Sequence, residues 1–172
     1  MTADWEGVSA NLYILSDDTT MEFQVIGMRG DAGFDSIVEH FTSMGGDVVL
    51  MDPDMVAGRD HILSAAMHAE RSFAEGTNRS KTVLTEIILY SAWERQISKA
   101  LAKMRPKEGR NDYVALLIDI DDPRLDAIGM ARDDSLLDVT DGKAEALGLK
   151  KGPISYEDQA VENVAMVELL KM

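Results

Sequence analysis

The chain has 172 residues, 45% of them apolar and none cysteine, with a formal charge of −14. That length supports one domain with a proper core, and that composition excludes a disordered tail, disulfides, thiol catalysis and thiolate metal sites. No apolar run approaches the ~20 residues of a membrane span, and MTADWEG lacks the basic-then-apolar start of a secretory signal, so a cytoplasmic protein is expected.

Along the chain, residues 1–21 hold one short apolar run, Leu12-Tyr13-Ile14-Leu15, among turn formers, and read as a loose extension or an edge strand. MEFQVIGMRG (21–30) has the pattern of a strand ending at glycines, placed near 22–28. Phe34, Ile37, Val38 and Phe41 fall at helical spacing, giving a short helix over 33–44. DVVLM (47–51) is a β-branched strand. Asp52-Pro53-Asp54 forms a turn in which Asp54 can cap a helix running from about Met55 to Ala74. Ile62, Ala66, Ala69 and Phe73 make its apolar stripe. Alanines such as Ala65 and Ala69 let another element approach closely.

Gly76-Thr77-Asn78-Arg79-Ser80 breaks that helix. VLTEIILYSAW (83–93) is apolar nearly all round except Glu86 and reads as a buried central helix. RQISKALAKM (95–104) is a further helix, and YVALLIDI (113–120) a buried strand. Beyond it, Asp121-Asp122-Pro123 opens a predicted helix to about Arg132, and 136–139 reads as a strand. Glycines 142, 148 and 152 mark a loop-rich stretch. Ser155-Tyr156-Glu157-Asp158 fits a capping box for a last helix, and NVAMVELL (163–170) is read as a strand. The fold class is α/β: a single mixed-sheet domain over 22–172 with a helical middle segment.

Charge is unevenly spread. From Arg59 to Arg110 there are ten Lys/Arg against six Asp/Glu, while the rest holds seven against 25. A basic island in an acidic protein is either a solvated helix pair or a site for phosphate. The segment TNRSKT (77–82) offers Asn78, Arg79 and Lys81 beside the open N–H groups of a helix start, which favours phosphate. Arg95 and Gln96 open the next helix in the same way, and Tyr90 and Trp93 offer surfaces on which a base can stack.

Catalytic and metal chemistry find little support. His61 and His68 are seven apart, about two helical turns, whereas a helical zinc pair needs i, i+4 spacing. No nucleophile motif, P-loop or dinucleotide loop occurs, so no metal and no cofactor is expected. Glu86 reads as a buried carboxylate paired with Arg79, Arg95 or a backbone N–H. The competing reading is a small acid/base enzyme built on His61, Glu86 and Arg79, which requires those three groups to converge on a pocket.

AGRDHILSAAMHAERSF and NRSKTVLTEIILYSAWERQISKAL together resemble the signature of the PRPK-binding-protein family, the small non-catalytic subunit of the KEOPS/EKC complex. The resemblance is densest over 48–118. Trp93 departs from it, because the family pattern has glycine or a small residue there. The resemblance implies a mixed α/β domain that binds a PRPK-type kinase/ATPase, meets other KEOPS subunits indirectly, and serves threonylcarbamoyladenosine synthesis in tRNA. It also implies tRNA binding by the 3′ CCA end, as in archaeal-type members, with no catalysis and no membrane contact. Arg59, His61, Asn78, Arg79, Lys81, Arg95 and Gln96 are then the candidate RNA-binding residues, and Glu86, Ala65 and Ala69 structural ones.

Overall fold

The computed structural model describes residues 21–170. The extension expected over 1–21 therefore lies outside the described residues except for Met21, whose N–H donates to Glu70. Four strands form one sheet: β1 (Phe23–Gly30), β2 (Asp47–Met51), β3 (Asp112–Ile118) and β4 (Met130–Arg132), in the order β2-β3-β1-β4. The strands read near 22–28, 47–51 and 113–120 are neighbours, as expected. All three pairings are antiparallel, so the sheet is not mixed in strand direction.

Both faces of this sheet are covered, which explains why its strands read as nearly continuous apolar runs. The register sets Leu116 between Val25 and Val49, and Ala115 between Ile26 and Leu50. Side chains alternate between faces. Ile26, Met28, Val48, Leu50 and Leu117 pack against Ile37, Val38 and Phe41 of α1 (Phe34–Ser43). Val25, Val49, Met51, Leu116 and Ile118 face the opposite layer, made by α2 (Arg59–Glu75), α3 (Val83–Ala92), α4 (Ile97–Met104) and α6 (Tyr156–Leu170). A short α5 (Asp141–Ala146) lies between β4 and α6 in sequence.

α2 is the pivot of the helical layer. Ala65, Ala66 and Ala69 are fully buried in it, as the small-residue stripe predicts. Its contacts also fix the chain directions. His61 reaches Ser91 and Ser72 reaches Glu86, so α3 runs antiparallel to α2. Asp60 meets Glu157 and His68 meets Glu168, so α6 runs parallel to it.

Several elements differ from expectation. Asp52, not Asp54, is the first cap: its carboxylate accepts from the Asp54 N–H at 2.9 Å over a single 3-10 turn, Pro53–Met55. The α-helix starts only at Arg59, because Val56 and Ala57 are buried in extended backbone. The helix predicted over 121–132 is a 3-10 turn at Leu125–Ile128, a left-handed Gly129, and β4, which exists by pairing with β1. The strand predicted at 136–139 is a 3-10 turn at Asp134–Leu137 held by the Asp133 side chain. The strand read at 163–170 is the second half of α6. Its Ala160, Val164 and Val167 repeat at helical spacing and bury against the layer. Ser155 caps this helix through the Asp158 N–H, as its sequence signature predicts.

Gly58 shows how the start of α2 is built. It sits at φ +98, and a Cβ there would lie 2.0 Å from a Glu157 oxygen. That oxygen accepts the Asp60 N–H at 2.9 Å, so α6 caps α2 with a carboxylate at its positive end. Gly58→Ala should therefore cost roughly 2–3 kcal/mol: ~1–2 from the left-handed backbone and ~1 from the displaced cap. Gly45→Ala, at φ +91 with nothing within 4 Å, carries only the backbone cost. Urea unfolding midpoints compare the two; equal losses would remove Glu157 from the account.

Candidate partner- and nucleic-acid-binding surfaces

The loop between α2 and α3 is built around Glu86, which is fully buried. One oxygen accepts from the Ser80 N–H at 2.9 Å, the Ser80 hydroxyl at 2.7 Å and the Arg79 N–H at 3.1 Å. The other is 3.3 Å from the Ser72 hydroxyl. A buried carboxylate needs this saturation, since an unsatisfied one costs several kcal/mol. Thr82 caps α3 and accepts the Thr85 N–H. Asn78 donates to the Ser80 carbonyl and is half-buried.

The protein's own carboxylate takes the N–H groups of Arg79 and Ser80, and the Thr82 hydroxyl takes that of Thr85 at the helix start. The loop instead offers the exposed side chains of Arg79 and Lys81, pointed outward by a backbone that Glu86 holds from beneath.

His61 is fully buried, and its Nδ1 accepts the Ala57 N–H at 2.9 Å while Nε2 donates to the Ser91 carbonyl at 2.9 Å. That pattern requires the neutral ring, and burial lowers its pKa to about 4. His61 ties the start of α2 to the end of α3 and does not reach a surface where RNA could touch it. Arg59 is half-exposed but engaged: its guanidinium donates to the Val25 carbonyl and pairs with Asp134 at 3.0 Å. The Gly-Arg-x-His motif at 58–61 thus joins α2 to α6, β1 and α3.

The candidate RNA residues fall at two ends. Asn78, Arg79 and Lys81 lie before α3, and Arg95 and Gln96 lie after it. Ten helical residues, about 15 Å, separate them. The stacking surfaces expected between them are closed. Tyr90 is fully buried. Trp93, at φ 59 in the left-handed region that favours glycine, has its ring 5.1 Å from that of His61 and covered by Lys103 Nζ at 4.5 Å.

The same geometry separates the enzyme triad. His61 sits by Ser91 and Glu86 by Ser72, at opposite ends of the α2–α3 pair, and both are enclosed. The two described clefts, of about 800 and 490 Å³, are lined by none of the three. Among the described residues no cluster of three or more His, Asp or Glu has metal-binding geometry, and no helix is long and apolar enough to cross a membrane.

Sequence reasoning missed exposed apolar residues on α2 and α6. Met67, Met166, Leu169 and Leu170 are 62, 53, 59 and 44% exposed. Met166, Leu169 and Leu170 fall at i, i+3 and i+4 on α6 and share one side of it, turned from the buried Ala160, Val164 and Val167; Met67 lies on α2 next to His68, which meets Glu168 of α6. There the Tyr90 hydroxyl donates to Glu168 at 2.5 Å, and the His68 ring stacks on Tyr90 at 5.3 Å. The signal was in the sequence: NVAMVELL has apolar residues on both sides of a helix, one set for the core and one left over.

Residues 35–164 match the family model described as Kinase binding protein CGI-121. The chain belongs to this family. A comparison with curated proteins gave no match. A kinase-binding role accounts for three exposed apolar residues on one side of α6, since single exposed apolar residues are ordinary and a stripe of them is less so.

The burial of His61 has a measurable consequence. Its proton affinity is depressed in the folded state, so the unfolded chain binds more protons between pH ~6.5 and ~4. Stability from this group is complete above pH ~6.5 and falls by up to roughly 3 kcal/mol as pH drops to ~4. His61→Gln, which keeps one acceptor and one donor, should be less stable at pH 7 and lose that part of the slope. Denaturant titrations at several pH values test this; identical slopes would mean His61 is not the group responsible.

Proposed function

We propose that this chain is the small non-catalytic subunit of a KEOPS-type complex, acting in the cytoplasm in threonylcarbamoyladenosine synthesis in tRNA. It binds and supports a PRPK-type kinase/ATPase through the α2–α6 face and recruits tRNA by its 3′ CCA end. Contact with other KEOPS subunits is indirect, through the kinase.

The observation that carries the kinase contact is the exposed stripe of Met166, Leu169 and Leu170 on α6, with Met67 exposed on the neighbouring α2, in a member of a kinase-binding family. Three features suit a docking face. Unbranched methionines adapt to a partner's shape. The face is anchored on a helix pair fixed at both ends, by Glu157 below and the Glu168 cluster above. It lies on the helical layer, away from α1. For tRNA, the support is the outward pair Arg79 and Lys81 on a loop braced by Glu86, with Asn78 holding its turn. In this reading Arg59 and His61 contribute by fixing the α2 start, without RNA contact.

Leu169→Asp, combined with Met166→Asp, should weaken the cognate kinase by about 30-fold or more, since truncating central anchors costs ~2 kcal/mol or more. Calorimetric titration measures this, and wild-type binding should show a negative heat-capacity change. No association of the wild-type chain at tens of micromolar would end the kinase assignment. For RNA, intact tRNA should outcompete CCA-trimmed tRNA in filter binding, and Arg79→Ala should narrow that difference and flatten the salt dependence by about one contact. Equal binding of the two tRNAs would put the 3′ end elsewhere.

A further inference from the structure

With 31 acidic residues against 17 basic, a surface cation in this protein has carboxylates within easy reach. Four of the arginines use them. Arg29 pairs with Asp112 and Asp133, Arg59 and Arg132 with Asp134, and Arg110 with Asp52, Asp54 and Asp112. Lys107 also reaches the buried Asp52. Arg95 and Lys99, like Lys81, Arg124, Lys150 and Lys151, do not. Both are exposed, and among the described residues neither side chain has a hydrogen bond or an ion pair.

Their placement raises the energy of the isolated chain. Arg95 lies just before the N-cap Gln96 and Lys99 in the first turn of α4, whose positive end disfavours cations, and that turn carries no acid to compensate. The sequence then continues through Lys103, Arg105 and Lys107 without an acidic residue after Glu94 until Glu108. Charge held against repulsion, and not neutralised from within a chain of −14, is relieved by an outside polyanion.

The face also says which kind of polyanion. Single-stranded nucleic acid is held by aromatic stacking as well as charge. The neighbours exposed beside Lys99 are Ser98 and Ala102, and the nearest aromatic in sequence, Trp93, is covered by His61 and Lys103. A surface with cations and no stacking platform reads phosphates only, which suits a duplex backbone.

Building on the tRNA reading above, we infer that the start of α4, with Arg95 just before the helix and Lys99 in its first turn, is a track for the phosphate backbone of a double-stranded arm of the RNA. It is distinct from the Asn78–Lys81 loop at the other end of α3. An RNA bound this way meets the protein at two points about 15 Å apart: one for an end, one for a stem.

The test is filter binding at several salt concentrations with the full chain, using Arg95→Glu combined with Lys99→Glu, intact tRNA and CCA-trimmed tRNA. Calorimetric titration of the kinase runs in parallel, and circular dichroism checks that the variant is folded. Intact and trimmed tRNA should lose affinity by the same factor, about tenfold or more. The slope of log K against log salt should shrink by about 0.9 for each of two contacts. Kinase affinity should be unchanged. Wild-type affinity for both RNAs in the folded variant would overturn the inference while leaving the tRNA reading intact. A selective loss of kinase binding would overturn it too, assigning the face to an acidic protein surface. If the wild-type chain bound neither RNA, the tRNA reading would fail and this inference with it.

Discussion

A buried carboxylate organises the loop between α2 and α3. Glu86, in the first turn of α3, reaches back past the N-cap Thr82 and takes the N–H groups of Arg79 and Ser80 and the Ser80 hydroxyl. The energetics run in one direction. A buried carboxylate without partners would cost more than the loop's conformational entropy, so the loop closes on it. Arg79 and Lys81 are then turned outward on a backbone that cannot easily rearrange. A neutral residue at 86 would free the N–H groups but leave nothing to hold the loop that carries the charges.

The same logic governs the other end of α2. Glu157 from α6 serves the helix start, and a glycine at 58 makes room for it. His61 serves a second pair of backbone groups, the Ala57 N–H and the Ser91 carbonyl. Each polar residue in the α2–α3 core that resembled catalytic machinery has its hydrogen-bonding capacity spent on backbone. Three helices that otherwise meet through small alanines thereby acquire a fixed register. With α2 pinned to α3 at both ends and to α6 along its length, the α2–α6 surface is rigid, which lowers the ordering cost of docking a partner on it.

The parts of the fold that could be read from the sequence are those whose local signal and tertiary role coincide. β1, β2 and β3 are β-branched runs buried on both faces, and α3 is apolar all round because it is buried all round. The misreadings share a cause. β4 is three residues long and exists through its ladder to β1, about a hundred residues away in sequence. The valines of α6 favour a strand locally, but α2 and α3 supply a surface that fits Val164 and Val167 at helical spacing. In the site, residue types were legible and partners were not. Arg79 and Lys81 read as exposed cations and are so. His61 reads equally well as a surface group or a core group, and only the Ala57 and Ser91 contacts decide. The α2–α6 face was hidden because a helix apolar on two sides has no clear periodicity.

Net charge alone would argue against any nucleic-acid role for a chain of −14. The total does not describe the local field, however. Arg29, Arg59, Arg110 and Arg132 are absorbed into ion pairs along the sheet and its loops, so they project little field outward. Lys81, Arg95 and Lys99 are exposed without a partner among the described residues. The potential a polyanion meets is set by those unpaired groups within a Debye length of ~8 Å at physiological salt, and distant acids are screened. Acidity elsewhere disfavours phosphate there. The surplus of carboxylates therefore leaves the local potential at these basic groups in place.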